Sequence, residues 1–402
     1  MRPWSVLGLL LVATSAAAAE EPAPPRDPIG ALTDALTQRA AAAPAGTAAR
    51  LRRAVAVLER PTVGVGEVGG TAALRRAARV LQRARHPDGE AVALVDTAAA
   101  TLAAELDADA RTLARVLAAG LLDAESAGRA AAAARRGDRG LAGYRTAQRR
   151  GPRLRRLAHA ARALSVVPEL GLDAGTTYHH VVVTLRIAPA IGGFDWTGDG
   201  VPENALAQLQ SLVGPLTGGL DMNVPTASGI VSGALSEILQ VAAVGSLDGD
   251  EIVLVGHFHA DDVDGDPSDN AFGGEQFTPA SGARDARGHA AAGAAAALGS
   301  GGAYEVEVAG RFAVPFGLEP IAVADSVRLR GNVTTDTHSG TLGMLVPGSV
   351  VFRCLAAFVP AQFSAQVPGV ATSLLDVDTD GDGTADAMSA AFTFQAVRAE
   401  LP

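Results

Sequence analysis

The sequence predicts an α+β, multidomain chain, with an N-terminal α-helical bundle followed by a mainly antiparallel, sandwich-like β domain. Three observations predict it. Apolar residues recur at helical intervals as far as Leu164, strand-forming composition with Gly, Pro and Asp turns takes over from Gly171, and charge changes sign at the same boundary. Residues 20–165 hold 24 Arg against 15 Asp and Glu, whereas residues 166–402 hold 8 against 28. A chain of 402 residues is long enough for each half to bury its own core.

Residues 1–19 read as a signal peptide. Arg2 supplies the positive start, Trp4 to Val12 the apolar run, and Ala17-Ala18-Ala19 the small-residue cleavage site. No Cys stands near that point, which argues against a lipid anchor, and no later apolar run is long enough to span a bilayer. The expected destination is periplasmic or secreted. Cys354 is the single cysteine, so an intrachain disulfide is excluded and another staple, such as bound metal, becomes useful.

Residues 20–28 form a Pro-rich linker, and residues 29–168 an Ala- and Arg-rich helical domain. Within it, Leu51, Val55 and Leu58 share one helical face, as do Leu102, Leu106 and Leu113, while Arg52, Arg53, Arg75, Arg76 and Arg79 mark polar faces. Breaks at Pro61 to Gly70, His86 to Gly89 and Gly137 to Gly140 imply five or six helices. There is no Lys, so all 33 basic residues are Arg, a bias expected of a GC-rich genome.

Residues 171–402 form the acidic β-rich domain. Strands are expected at Thr177 to Ile187, Glu251 to His259, Tyr304 to Phe316, Ile321 to Val333 and Met388 to Leu401. Two helices are expected at Pro202 to Val213 and Ala227 to Val241, and the Ala/Gly-rich stretch Ala283 to Gly302 reads as a loop.

The most specific chemistry lies in two Asp-rich loops of this half. Calcium takes six to eight hard oxygen ligands, and a tight loop supplies them from positions 1, 3 and 5, a carbonyl at 7 and an acid at 9, with Gly at 6. Asp378, Asp380, Asp382, Gly383, the Thr384 carbonyl and Asp386 fill that register. Asp195, Thr197, Asp199, Gly200, the Val201 carbonyl and Glu203 fill it with one carboxylate fewer, so weaker binding is expected. Asp376 is a candidate extra donor for the second site.

These runs, Asp195-Trp-Thr-Gly-Asp-Gly-Val-Pro-Glu-Asn and Asp378-Thr-Asp-Gly-Asp-Gly-Thr-Ala-Asp, resemble thrombospondin type 3 repeats and, more loosely, dockerin and EF-hand loops. The resemblance covers about ten residues at each place and implies Ca²⁺ binding, not a shared fold. Both loops depart from the EF-hand pattern at position 12, where Leu206 and Ser389 stand in place of the bidentate acid. The C-terminal region is also similar to uncharacterised exported bacterial proteins that carry such loops, a likeness that implies no activity.

A third acidic run, Asp261, Asp262, Asp264, Asp266 and Asp269, has the charge density without the register, because Pro267 follows Asp266 and no Gly stands at position 6. His257-Phe-His259-Ala-Asp261-Asp262 resembles the metal motif of metallo-β-lactamase-like hydrolases, which implies a zinc hydrolase using His257, His259 and Asp261; Asp262 stands where that motif has its last His. His179 and His180 read as strand surface. Gly64-Val-Gly66-Glu-Val-Gly69 matches a dinucleotide fingerprint but follows a helix, which makes it a hinge. No Gly-x-Ser-x-Gly elbow is present.

The reading is therefore an exported, calcium-stabilised structural or binding protein with no convincing active site. A zinc hydrolase is the first alternative. The second is an Arg-rich adhesin that meets a cell-surface or extracellular anionic polymer through its basic half, without specific nucleic-acid recognition.

Overall fold

The computed structural model describes residues 27–59, 67–82, 88–172, 175–216, 221, 223–247, 249, 251–309, 312–316, 319–323, 326–358 and 361–402. The leader, nearly all of the Pro-rich linker and Gly64 to Gly66 of the glycine motif lie outside them.

Among the described residues the N-terminal half holds seven helices: α1 (Pro28–Ala42), α2 (Ala45–Leu58), α3 (Glu67–Gln82), α4 (Gly89–Ala119), α5 (Ala124–Thr146), α6 (Arg150–Leu164) and the single turn α7 (Val166–Glu169). Asp27, Asp88 and Asp123 cap α1, α4 and α5 by accepting from the first free N–H groups. Gly120 ends α4 in the left-handed region at φ 66°. The spacing read from sequence puts Leu51, Leu102, Leu106 and Leu113 in one core. The break expected at Gly137 to Gly140 is absent, because α5 runs through it. Those glycines serve packing instead: a Cβ on Gly140 would stand 2.8 Å from the Ala160 backbone N, so α5 and α6 touch nearly backbone to backbone.

The C-terminal half holds β1 (Thr176–Ile187), α8 (Ala205–Leu216), α9 (Asn223–Val231), β2 (Glu237–Val244), β3 (Glu251–Asp262), β4 (Glu275–Pro279), β5 (Ala292–Leu298), β6 (Ala303–Ala309), β7 (Phe312–Phe316), β8 (Glu319–Val323), β9 (Ser326–Val333), β10 (Thr337–Pro347), α10 (Gly348–Phe358), α11 (Val367–Ser373) and β11 (Ala387–Glu400). The fold class is α+β with a mostly antiparallel sheet of nine strands, and β7 and β8 pair separately.

In place of two facing sheets, one sheet curls round its core. Strand β1 pairs with both β2 and β11, which gives the ladder β5-β3-β2-β1-β11-β10-β9-β6. Strand β4 joins the far ends of β3 and β11. Leu298 of β5 and Val306 of β6, from opposite ends of the ladder, share one apolar cluster with Val182, Leu239, Leu342 and Phe392. Leu206 of α8, Val351 of α10 and Ala371 of α11 belong to the same cluster, so helices help the curled sheet to cover that face.

Other boundaries differ from expectation for physical reasons. The helix expected over 227–241 stops at Val231, Gly233 turns the chain at φ 72°, and fully buried β2 follows. The Ala/Gly stretch contains β5, whose small side chains admit α4 closely. Ala242, Leu254 and Ala295 accordingly belong to the helical core. Arg115 of α4 donates to the Ala290 and Ala291 carbonyls at 2.9 and 2.8 Å, and Arg287 grips Asp109 of α4 through two 3.0 Å bonds. The two long strands expected at 304–316 and 321–333 are each divided, and β10 was not expected. His180, expected on the surface, is fully buried, and burial pushes its pKa down to about 4. Among the described residues no helix is long and apolar enough to cross a membrane.

Candidate metal centre

The first loop begins where β1 has ended and a short bridge, Phe194 to Glu203, closes its neck. Inside it the Asp195 carboxylate accepts from the N–H of Gly198 at 2.6 Å and of Gly200 at 2.9 Å. Asp199 accepts from Val201 N–H at 2.8 Å. Glu203 reaches back, one oxygen accepting from Trp196 N–H at 2.6 Å and the other from the Thr197 hydroxyl at 2.7 Å.

The second loop has its own neck bridge, Val377 to Ala387, and repeats the backbone bonds of this grid, while its hydroxyl donor stands at position 2 instead of 3. Asp378 accepts from Gly381 N–H at 2.8 Å and Gly383 N–H at 2.7 Å. Asp382 accepts from Thr384 N–H at 2.7 Å. Asp386 takes the N–H of Thr379 at 2.8 Å and its hydroxyl at 2.7 Å. Positions 4 and 6 require left-handed backbone in both loops: Gly198 and Gly200 have φ of 78° and 85°, Gly381 and Gly383 77° and 88°. One pattern of Asp and Gly spacing has therefore folded the same way in two sequence contexts.

The grid turns acids inward. Asp195, Asp199 and Glu203 each place an oxygen within 4.8 Å of the others, and so do Asp378, Asp380 and Asp382. Hydrogen bonds favour the charged form of two of the second loop's acids: Gly383 N–H foremost keeps Asp378 below the usual carboxylate range, and the Thr379 hydroxyl does the same for Asp386. All-oxygen donors at these spacings suit a hard divalent cation such as Ca²⁺, with water completing the shell. Val201 and Thr384 occupy position 7 of each loop, where the sequence places a carbonyl ligand.

Asp376 is placed differently from expectation. Its carboxylate is taken up by Ser389, from which it receives N–H at 2.7 Å and the hydroxyl, and it stands apart from the converging acids. Burial raises its pKa, and the charge of Glu203 adds to that rise. It is a staple between loops. Ser389, at position 12 of the second loop, also accepts Ala205 N–H at 2.9 Å, and Ala205 starts α8 directly after the first loop. Asn204 completes the join, donating to Ala188 O at 2.8 Å and accepting Ala391 N–H at 3.0 Å. Sequence reasoning missed Asn204 and Ser389 as contacts; their only signal was the position directly after one loop and at position 12 of the other.

The first loop has a further anchor. Phe194 is buried over Gly343 of β10, where an added Cβ would lie 2.3 Å from its ring. Arg328 of β9 donates to the Asp195 carbonyl at 2.6 Å and stacks 4.2 Å over Trp196.

The residues of the zinc alternative are not gathered in the same way. His257 is buried against Glu237 of β2, Nδ1 to Oε1 2.6 Å, whereas His259 is half exposed with Asp261 at 3.7 Å. Among the described residues, no group of three convergent metal-binding side chains contains either histidine. Glu237, His257 and His259 line a cavity of about 330 Å³ together with Ser281. The Glu237 pairing was illegible in sequence, since it arises from the β2–β3 register. Comparison with known proteins returned no match among family models, curated proteins or solved structures.

Proposed function

We propose that this is an exported calcium-binding protein whose two Asp-rich loops use Ca²⁺ as a structural cross-link. The observation that carries the reading is the duplicated hydrogen-bond grid, which brings three acids together in each of two loops that flank the paired ends of β1 and β11. Without a cation, three mutually close carboxylates repel; with one, the same charges become ligands. Because Asn204, Ser389 and Asp376 tie the two loops to the same segment of β11, filling either loop stiffens the neighbourhood of both.

Titration calorimetry of chelator-stripped protein tests this. Ca²⁺ should give at least two binding events, Asp382→Asn weakening the tighter and Asp199→Asn the weaker. Protein that takes up no Ca²⁺, or that is purified with stoichiometric zinc, would overturn the reading in favour of the hydrolase.

A second reading, adhesion to an anionic surface polymer, is favoured by one cluster on the basic half. Arg75 of α3 has its pKa lowered by burial and by the nearby charges of Arg79, Arg155 and Arg162. None of the four is in an ion pair among the described residues. Salt-sensitive binding to heparin that is lost in the Arg155→Ala/Arg162→Ala variant supports this reading; binding unchanged by that variant removes it.

A further inference from the structure

The third acidic run, which lacks the loop register, spans the end of β3 and the turn towards β4 and is folded differently from the other two. Asp262, Asp264 and Asp269 nevertheless each bring a carboxylate oxygen within 4.8 Å of the others. Convergence of acids alone is common on surfaces.

What sets this group apart is the state of its oxygens. Asp262 Oδ2 and Asp269 Oδ1 are sealed from solvent and have no hydrogen-bond partner, and the same is true of Oδ1 of the adjacent Asn270, a residue only 6% exposed. In the two loops already described, backbone N–H groups satisfy the acids. Here the N–H groups of Asp264 and Asp266 reach only Asp262 Oδ1 and Asp264 Oδ1, no donor reaches Asp262 Oδ2 or Asp269 Oδ1, and no arginine is ion-paired to Asp262, Asp264 or Asp269 among the described residues. A sealed carboxylate oxygen without a donor destabilises the fold, and more so when it is charged.

From this we infer that Asp262, Asp264 and Asp269, with the Asn270 carbonyl oxygen, form a third cation site, and that Ca²⁺ is the ion it takes. The donors are all hard oxygens, which excludes preference for zinc or copper. Sealed oxygens must meet the ion directly, whereas Mg²⁺ keeps most of its water and insists on octahedral geometry. Bound there, the ion would join the end of β3 to the start of β4. The inference goes beyond the two-loop reading and does not need either loop to be filled.

Equilibrium dialysis of the full chain with radioactive Ca²⁺ tests it. Wild type should hold three ions per chain, and Asp262→Asn/Asp269→Asn should hold two while keeping the affinities of the remainder. If that variant does not fold, the single change Asp264→Asn, at an exposed position, should weaken one of three binding events about 10-fold. A wild-type count of two, or a count of three that neither variant alters, overturns this site and leaves the two-loop reading standing. A count of one, removed by the Asp262→Asn change and untouched by Asp199→Asn and Asp382→Asn, would do the reverse.

Discussion

The two loops are built on one hydrogen-bond grid yet differ in both charge and support. The second carries carboxylates at positions 1, 3, 5 and 9; the first has Thr197 at position 3, where its hydroxyl secures Glu203. In the second loop the equivalent hydroxyl comes from Thr379 at position 2, which leaves position 3 free for Asp380. The first loop is instead clamped from outside, by Phe194 over Gly343 and Arg328 on Trp196. The difference teaches that one backbone grid can be built around more acids, or around fewer acids with packing from neighbouring strands.

The largest expected effect comes from cutting the join between them. Asn204→Ala leaves the Ala188 carbonyl and the Ala391 N–H without their partner in a buried setting, which should cost about 2 kcal/mol in urea unfolding. It should also lower the Ca²⁺ affinity of both loops. If only the first responds, the loops are independent and the comparison is one of two separate sites.

Making the loops alike is the next test. Thr197→Asp supplies the missing carboxylate and should tighten the first loop for Ca²⁺ about 10-fold, as read by titration calorimetry. An unchanged or weaker affinity would mean that the Thr197 to Glu203 bond matters more than charge number. Gly343→Ala tests the external clamp. The new methyl displaces Phe194, so the first loop should bind Ca²⁺ several-fold more weakly while the second is untouched.

The smallest effect concerns pH without metal. Asp378 and Asp386 have folded-state pKa values below the ordinary carboxylate range, so they stabilise the fold above about pH 4. That contribution fades as pH falls through their lower folded values. In Ca²⁺-free protein the Gly383 amide resonance should hold its position through pH 4 and shift only below it. A shift complete by pH 4 would show that the grid does not order the loop on its own.

Much of this was legible in the sequence, because the loop register is local: Asp at 1, 5 and a third acid at 9, with Gly at 4 and 6, dictates turns that no distant residue has to specify. Helical spacing placed Leu51, Leu102 and Leu113 correctly for the same reason. What stayed illegible was set by neighbours distant in sequence. The run Ala292–Leu298 is a strand because β3 pairs with it and α4 needs its small side chains, not because alanine favours strands. Residues 237–241 likewise follow the β1 and β3 ladders against a helix-compatible pattern. Asp376 looked like a ligand by proximity, but Ser389, folded against it, claims the carboxylate.

The most direct test of calcium as a structural cross-link is scanning calorimetry of the full chain with saturating Ca²⁺ and with chelator. Saturation at 100 times Kd contributes about 2.7 kcal/mol per site, so the melting temperature should rise by about 5 °C or more. An identical melt in the two conditions would contradict the account.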